Sequence, residues 1–251
     1  MKIILCGASG RMGKMVTETA LERGDTIVCG VDLFPKPAAY PIYTSFAEVS
    51  EKADAIIDFS SAAGLYERLE FAAEKNLPVV LAATGYSEED EALVKKYAER
   101  IPLFKTGNLS LGINLLQLLA KQAAKILGEN FDIEIIERHH NQKKDAPSGT
   151  ALMLYESVSN ASEEEMQATY GRHGMVGARR KQEIGIHAVR GGTIVGEHEV
   201  MFAGEDEIVT VAHSARSRKV FAAGALKAAK WLIAKPAGLY NMNDLLRELM
   251  P

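Results

Sequence analysis

Short apolar runs without polar alternation recur through the first hundred or so residues: Lys2 to Cys6, Thr26 to Val31, Ala55 to Phe59, Val79 to Ala82 and Leu103 to Lys105. Between them, Arg11 to Arg23, Gly64 to Asn76 and Glu88 to Arg100 carry the apolar spacing of amphipathic helices. Strands that lack a polar face need cover on both sides, which parallel sheets receive from the helices that connect their strands. The pattern predicts a doubly wound α/β domain.

The rhythm changes after a long apolar helix pattern from Leu111 to Leu127, which stops at Gly128. Phe131, Ile133 and Ile135 alternate with Asp132 and Glu134. Ile184, Ile186 and Ala188 alternate with Gly185, His187 and Val189, as half-buried strands do. Ile194 to Phe202 and Ile208 to His213 follow, with turn signals at Gly191-Gly192 and Gly204-Glu205-Asp206, so an antiparallel meander is expected. A helix pattern from Val220 to Ile233 either closes this second domain or returns to the first. The fold class is thus a Rossmann-like doubly wound parallel-sheet domain plus a smaller α+β domain with a mainly antiparallel sheet.

Composition narrows the function classes. A 251-residue chain that is 47% hydrophobic and 25% charged suits an ordinary globular protein. A formal charge of −4 without a Lys/Arg block gives no footing for nucleic acid. No run approaches membrane-spanning length, and the apolar run after Met1 is too short for a signal peptide. Cys6 and Cys29 each sit in apolar strand-like runs without Cys-x-x-Cys spacing, so a cytoplasmic protein with no metal is expected.

Gly7-Ala8-Ser9-Gly10-Arg11-Met12-Gly13 follows a strand and opens a helix, the context in which a glycine-rich turn brings backbone amides to a pyrophosphate. Its spacing places the second glycine one position later than in the usual dinucleotide fingerprint. Asp32, directly after the second strand, suits the adenosine ribose hydroxyls; the alternative is a tight turn with a capping acid. A carboxylate there repels a 2′-phosphate, whereas Arg11 and Lys36 offset it, so NADH is expected to work at least as well as NADPH. Phe59-Ser60, Ala83-Thr84-Gly85 and Thr106-Gly107-Asn108 end later strands, where α/β sheets bind ligands, although each also suits a cap or turn.

The densest chemistry lies in Glu137-Arg138-His139-His140-Asn141-Gln142-Lys143-Lys144-Asp145-Ala146-Pro147-Ser148-Gly149-Thr150-Ala151. Imidazoles exchange protons near neutrality, lysines attract anions, and Pro147-Ser148 starts a helix whose first amides bind a carboxylate. The bland alternative is a solvated loop entering a helix. Zinc is disfavoured because adjacent histidines have no partner ligands at suitable spacing.

Five segments together, Gly7 to Gly13, Ala82 to Gly85, Asn108 to Asn114, Glu134 to Ala151 and Arg190 to His198, resemble the dihydrodipicolinate reductase family across nearly the whole chain. The resemblance implies that NADH or NADPH reduces a cyclic imine dicarboxylate, derived from the 4-hydroxy-tetrahydro compound by loss of water, to tetrahydrodipicolinate in lysine and diaminopimelate biosynthesis. It implies His139 as proton donor, Lys143 as a second acid or a carboxylate-binding charge, His140 as a substrate contact, and Ser148, Gly149 and Thr150 as a carboxylate turn. Cofactor contacts are implied at Gly7, Ala8, Ser9, Gly10, Arg11, Met12, Gly13, Asp32, Ala82, Ala83, Thr84, Thr106, Gly107, Asn108 and Leu109. Arg218 matches a substrate-proximal or hinge arginine.

The resemblance also implies a dinucleotide-binding domain formed by residues 1–109 and 218–251, a substrate and oligomerisation domain of 110–217, closure of the two, and a homotetramer. Two departures stand out: Lys144 replaces an apolar residue, and Ala82-Ala83-Thr84 replaces Gly-Thr-Thr. His187 and His198 lie in strand patterns and are expected to be structural. Another nicotinamide-dependent dehydrogenase and a non-catalytic sensor of the NADH/NAD balance are the alternative functions; the sensor has no use for the proton donor His139.

Overall fold

A computed structural model describes residues 1–249, which separate into two compact units, Met1–Leu111 with the segment from Arg218 onward, and Gly112–Ser217. The first contains β1 (Lys2–Cys6), α1 (Arg11–Glu22), β2 (Thr26–Val31), β3 (Ile42–Tyr43), β4 (Ala55–Asp58), α2 (Leu65–Glu74), β5 (Val79–Leu81), α3 (Glu88–Ala98) and β6 (Pro102–Lys105). After the second unit it resumes with α6 (Lys219–Leu232), β12 (Gly238–Tyr240) and α7 (Met242–Leu249). Its strands form one parallel sheet in the order β12-β6-β5-β4-β1-β2-β3.

Strand β1 explains its own apolarity. Ile3 and Leu5 face a core with Val16 and Ala20 of α1 and Ala225 and Leu226 of α6, while Ile4 and Cys6 face Leu65, Leu69 and Val94 from α2 and α3. Each fully buried aliphatic side chain contributes roughly 1.5–3 kcal/mol, and alternate residues of one strand serve both layers. Burial also holds the Cys6 thiol far above its usual range, with the Asp58 carboxylate adding to the effect.

Strand order reverses between β1 and β4, which places the ligand-binding edge of such a sheet at the carboxyl ends of these strands. Asp58 ends β4 as a fully buried carboxylate, paired with Arg68 of α2 at 3.1 Å. Arg68 also donates to the Ser60 hydroxyl at 2.7 Å, fixing the loop that carries Phe59.

Helix α6 lies so close to the chain after β6 that a methyl group on Gly224 would fall 1.8 Å from the Leu109 carbonyl oxygen. Gly224→Ala must displace backbone, so it is expected to cost about 1–3 kcal/mol and lower the melting temperature by several degrees. An unchanged melting temperature would refute that close packing.

The second unit contains most of α4 (Leu111–Leu127), β7 (Asp132–His139), α5 (Gly149–Ser159), β8 (Gln167–Tyr170), β9 (Glu183–Arg190), β10 (Gly196–Ala203) and β11 (Ile208–Ala215). The expected meander holds for the β10–β11 hairpin across Gly204-Glu205-Asp206 but fails between β9 and β10. The sheet is mixed, in the order β11-β10-β7-β9-β8, with β7 parallel to β9, β9 parallel to β8, and β10 antiparallel to both β7 and β11. The Gly191-Gly192 turn crosses the end of β7 instead of joining adjacent strands. The Gly191 amide donates to the His139 carbonyl at 2.9 Å, and the Asn141 amide to that of Gly192 at 3.2 Å. Non-local pairing with β7 therefore overrides the local hairpin signal.

One face of this sheet is covered by Ile113, Leu116 and Ala120 of α4 and Ala151, Leu154 and Val158 of α5, which pack on Ile133, Ile135, Ile186, Val200 and Phe202. The opposite face carries charge. Glu134 accepts from Arg172, Arg179 and His187, and these contacts outweigh the burial that opposes its charge, taking its carboxyl down to about 2.

Candidate active site

The glycine loop is built by close approach. Gly7 has φ +73°, and a methyl there would lie 2.7 Å from the Phe59 carbonyl oxygen; one on Gly13 would lie 2.3 Å from that of Gly7. Only glycine fits both the left-handed turn and the seating of α1 against it. Gly10 caps α1 without a side-chain hydrogen bond, leaving the helix entry to backbone amides.

Asp32 stands just beyond β2 and accepts from the Ser9 amide at 2.9 Å and the Phe34 amide at 2.9 Å, while the Lys36 amide donates to the Ser9 hydroxyl at 3.1 Å. The acid thus shapes the loop and retains lone pairs for a ribose. Such a cradle, in which added Cβ atoms would strike backbone, fits a dinucleotide pyrophosphate.

A cavity of about 410 Å³ lies in the same unit, lined by Arg11, Met12, Phe59, Ala82, Thr84, Thr106, Gly107, Asn108, Leu109, Arg218 and Phe221. It brings together both residues opening α1 and the ends of β5 and β6. Ala8 is buried beneath the loop, and Ala83 is half-buried beside Thr84. Arg218 and Phe221 join from the start of α6. Phe221 escaped sequence reasoning because it looks like any apolar residue of a helix.

In the second unit, β7 turns an apolar stripe into a polar site. Ile133 and Ile135 are followed at the same period by Glu137 and His139, with Glu137 fully buried and His139 9% exposed. Glu137 Oε2 lies 2.6 Å from His139 Nδ1, and Arg190 donates to both carboxylate oxygens at 2.8 Å. The Ser148 amide adds a bond to Oε1 at 3.0 Å. Burial opposes the charge, but these donors outweigh it and hold the Glu137 carboxyl below its ordinary range. Arg190 reciprocally has its pKa raised by the hydrogen bonds it donates to the Glu137 carboxylate.

The loop after β7 reverses at His140, whose carbonyl accepts the Lys143 amide at 3.2 Å, and the His140 side chain is half-buried. Lys143 Nζ lies 2.7 Å from an exposed Asp145 carboxylate oxygen. The Asp145 carbonyl accepts from Arg190 at 2.7 Å, tying this loop to the Glu137 pair.

Helix α5 then starts with Ser148 as cap. The Ser148 hydroxyl accepts the Ala151 amide at 3.2 Å and meets His198 Nε2 at 3.0 Å, with the residue 2% exposed. Ser148 is therefore turned inward, unlike Gly149, which is exposed, and Thr150, which is half-buried in the first helical turn. The sequence marks Arg190 and His198 as part of a family-like segment that shapes the substrate pocket, with His198 expected to be structural, but does not single out Glu137, although the two-residue period of β7 puts it on the inward face. Among the described residues no group of three or more His, Cys, Asp or Glu is arranged to hold a metal.

His198 packs edge-on against His139, with ring centroids 5.2 Å apart. Burial, reinforced by the neighbouring His139 charge, lowers its pKa from 6.5 to about 4. The unfolded chain therefore binds a proton near pH 6.5 that the fold refuses until about pH 4, so stability falls as pH drops through that window. The full difference is about 3 kcal/mol. Urea unfolding at pH 7.5 and at pH 5 is expected to show a smaller acid loss in His198→Gln than in the parent. Equal losses in both proteins would contradict a neutral buried imidazole.

Family models place these features in one lineage. The model described as dihydrodipicolinate reductase, N-terminus, matches residues 1–109, and that described as dihydrodipicolinate reductase, C-terminus, matches 112–246. The chain is 49% identical to a 4-hydroxy-tetrahydrodipicolinate reductase of Caldanaerobacter subterraneus subsp. tengcongensis, covering 99% of each chain. It is 47% identical to the enzyme of that name from Clostridium novyi, covering 98% of each. The solved dipicolinate-bound dihydrodipicolinate reductase of Paenisporosarcina sp. TG-14 shares the fold, with a TM-score of 0.80 at 24% identity over 97% of this chain and 98% of that one. With both halves matched in order and relatives similar over their full length, the chain belongs to the dihydrodipicolinate reductase family of oxidoreductases.

Proposed function

We propose that this protein reduces 4-hydroxy-tetrahydrodipicolinate to tetrahydrodipicolinate with NADH or NADPH, the reaction for which its relatives are named. The observation that carries the reading is the Glu137-held imidazole of His139 beside the exposed start of α5, in a chain that also bears the glycine cradle.

The dinucleotide is held by Gly7 through Gly13, Asp32, Ala82 to Thr84 and Thr106 to Leu109, and supplies a hydride when bound. His139 delivers the matching proton. Its Nε2–H bond breaks as a bond forms between that proton and the ring atom on which negative charge collects, leaving a neutral imidazole. Together, hydride and proton add two electrons and two hydrogens across the conjugated imine left after water departs.

The substrate's two carboxylates need two receptors. Gly149 and Thr150 offer helix-entry amides and a hydroxyl to one, and Lys143 exchanges Asp145 for the other. His140 lies beside this loop as a further contact, while Ser148 orients the turn from within. A cytoplasmic homotetramer completes the proposal, with residues 1–109 and 218–251 as the cofactor domain and 110–217 as the substrate and assembly domain.

Calorimetric titration with dipicolinate, an aromatic analogue with both carboxylates, tests the substrate half. Binding is expected in the parent and about tenfold weaker in Thr150→Val, in line with loss of one hydrogen bond to a charged group; no heat in the parent would reject it. For the cofactor, kcat/KM with NADH is expected to equal or exceed that with NADPH because the Asp32 carboxylate would repel a 2′-phosphate. A strong preference for NADPH would overturn this assignment.

A further inference from the structure

We infer that Glu137 is a positioning residue for proton transfer: by accepting from Nδ1 it fixes the tautomer of His139 and leaves Nε2 as the only nitrogen that gains and loses a proton. The inference rests on the proposed role of His139 as acid. An ionised carboxylate has no hydrogen to donate, so the 2.6 Å contact requires the hydrogen to reside on Nδ1. No intramolecular hydrogen bond engages Nε2 among the described residues. It lies over Gly196, where an added methyl would approach to 3.1 Å, so glycine keeps space beside the exchanging nitrogen.

Three neighbours make Glu137 suited to this task. Arg190, directly across from His139 in the β7–β9 register, grips both carboxylate oxygens and keeps the acid ionised in a buried place. The Ser148 amide completes the cage and links it to the helix entry that is to hold substrate. His198, on β10 opposite Glu137, is kept neutral by burial and so does not compete as a second cation.

The charged and titratable groups around His139 are then Glu137 on its own strand, Arg190 on β9, His198 on β10, with His213 beyond it on β11, and Lys143 with Asp145 on the following loop. Of these, Glu137 is the one bonded to the imidazole. A carboxylate in that place orients the ring and fixes which nitrogen carries its hydrogen. A structural ion pair alone would be complete with Arg190 and Ser148 and would not need the histidine.

The test begins without substrate. Nitrogen NMR of the ligand-free full chain carrying labelled histidine, with His139 assigned by loss of its signal in His139→Gln, reports the tautomer above the imidazole pKa. The expected state is Nδ1–H, the minor form of free histidine; an Nε2–H ring would overturn the inference whether or not any variant folds. In Glu137→Gln, whose amide can donate as well as accept, the share of Nδ1–H is expected to fall, and the pH profile of kcat to change with it. We expect kcat about tenfold lower and KM within threefold, with Glu137→Asp recovering the pH profile at least in part. A folded Glu137→Gln with unchanged tautomer and profile would also overturn it. If the parent fails to turn over the proposed substrate, the functional reading fails, while the tautomer measurements still decide the role of Glu137.

Discussion

His139→Gln is expected to lower kcat by about 10²–10⁴-fold, the usual contribution of a positioned general acid, with little change in KM. Glutamine approximates the reach of the imidazole and can still hydrogen-bond Glu137, but its amide does not give up a proton near neutral pH. The loss therefore isolates proton transfer from packing. His139 is 9% exposed and bonded to a fully buried carboxylate, so removal of the ring by alanine would add an unrelated stability loss. Circular dichroism and cofactor binding should match the parent. A variant retaining more than a third of parental kcat would remove His139 as the acid.

The second large effect is expected at Lys143. Its ammonium is engaged by an exposed carboxylate, Asp145, at 2.7 Å, which a carboxylate of the proposed substrate would have to displace. Asp145 has its carboxyl pulled below the ordinary range, first by the Lys143 hydrogen bond. Lys143→Met keeps the aliphatic stem and deletes the charge, so KM is expected to rise by about 30-fold, or ~2 kcal/mol, with kcat changed less than threefold. A collapse of kcat as deep as that of His139→Gln, with KM unaltered, would instead assign proton donation to Lys143. Asp145→Asn should lower KM modestly, because the competing carboxylate is gone.

How much of this was legible in the sequence follows from what each feature depends on. Strands β1 and β2 and helix α4 have the expected bounds because their apolar patterns are strong and local. Edge strands β3 and β12 span two and three residues, too short to leave a period, and β8 has two exposed residues out of four. Helix α7 was also missed, although Met242, Leu245 and Leu246 have helical spacing and are buried. The Gly-Gly turn between β9 and β10 gave a misleading local signal, since only the pairing of both strands with β7 reveals the crossing.

The candidate site divides in the same way. His139, Lys143 and the helix start at Ser148 lie within one short segment, so residue types alone bring them to notice. Arg190 comes from a strand more than fifty positions away in the chain, and its bidentate grip on Glu137 depends on parallel register. Ser148 was expected at the substrate, but its hydroxyl is committed to Ala151 and His198 because the helix cap and the β10 histidine converge on it. Arg218 and Phe221 reach the cavity of the first unit only because α6 returns to that unit.

The most direct measurement is cofactor oxidation by the parent protein supplied with the freshly formed condensation product of pyruvate and aspartate semialdehyde. NADH or NADPH absorbance is expected to fall in equal molar amount with the tetrahydrodipicolinate formed, and only when protein and substrate are both present. No oxidation of either cofactor by folded protein would contradict the proposed reaction.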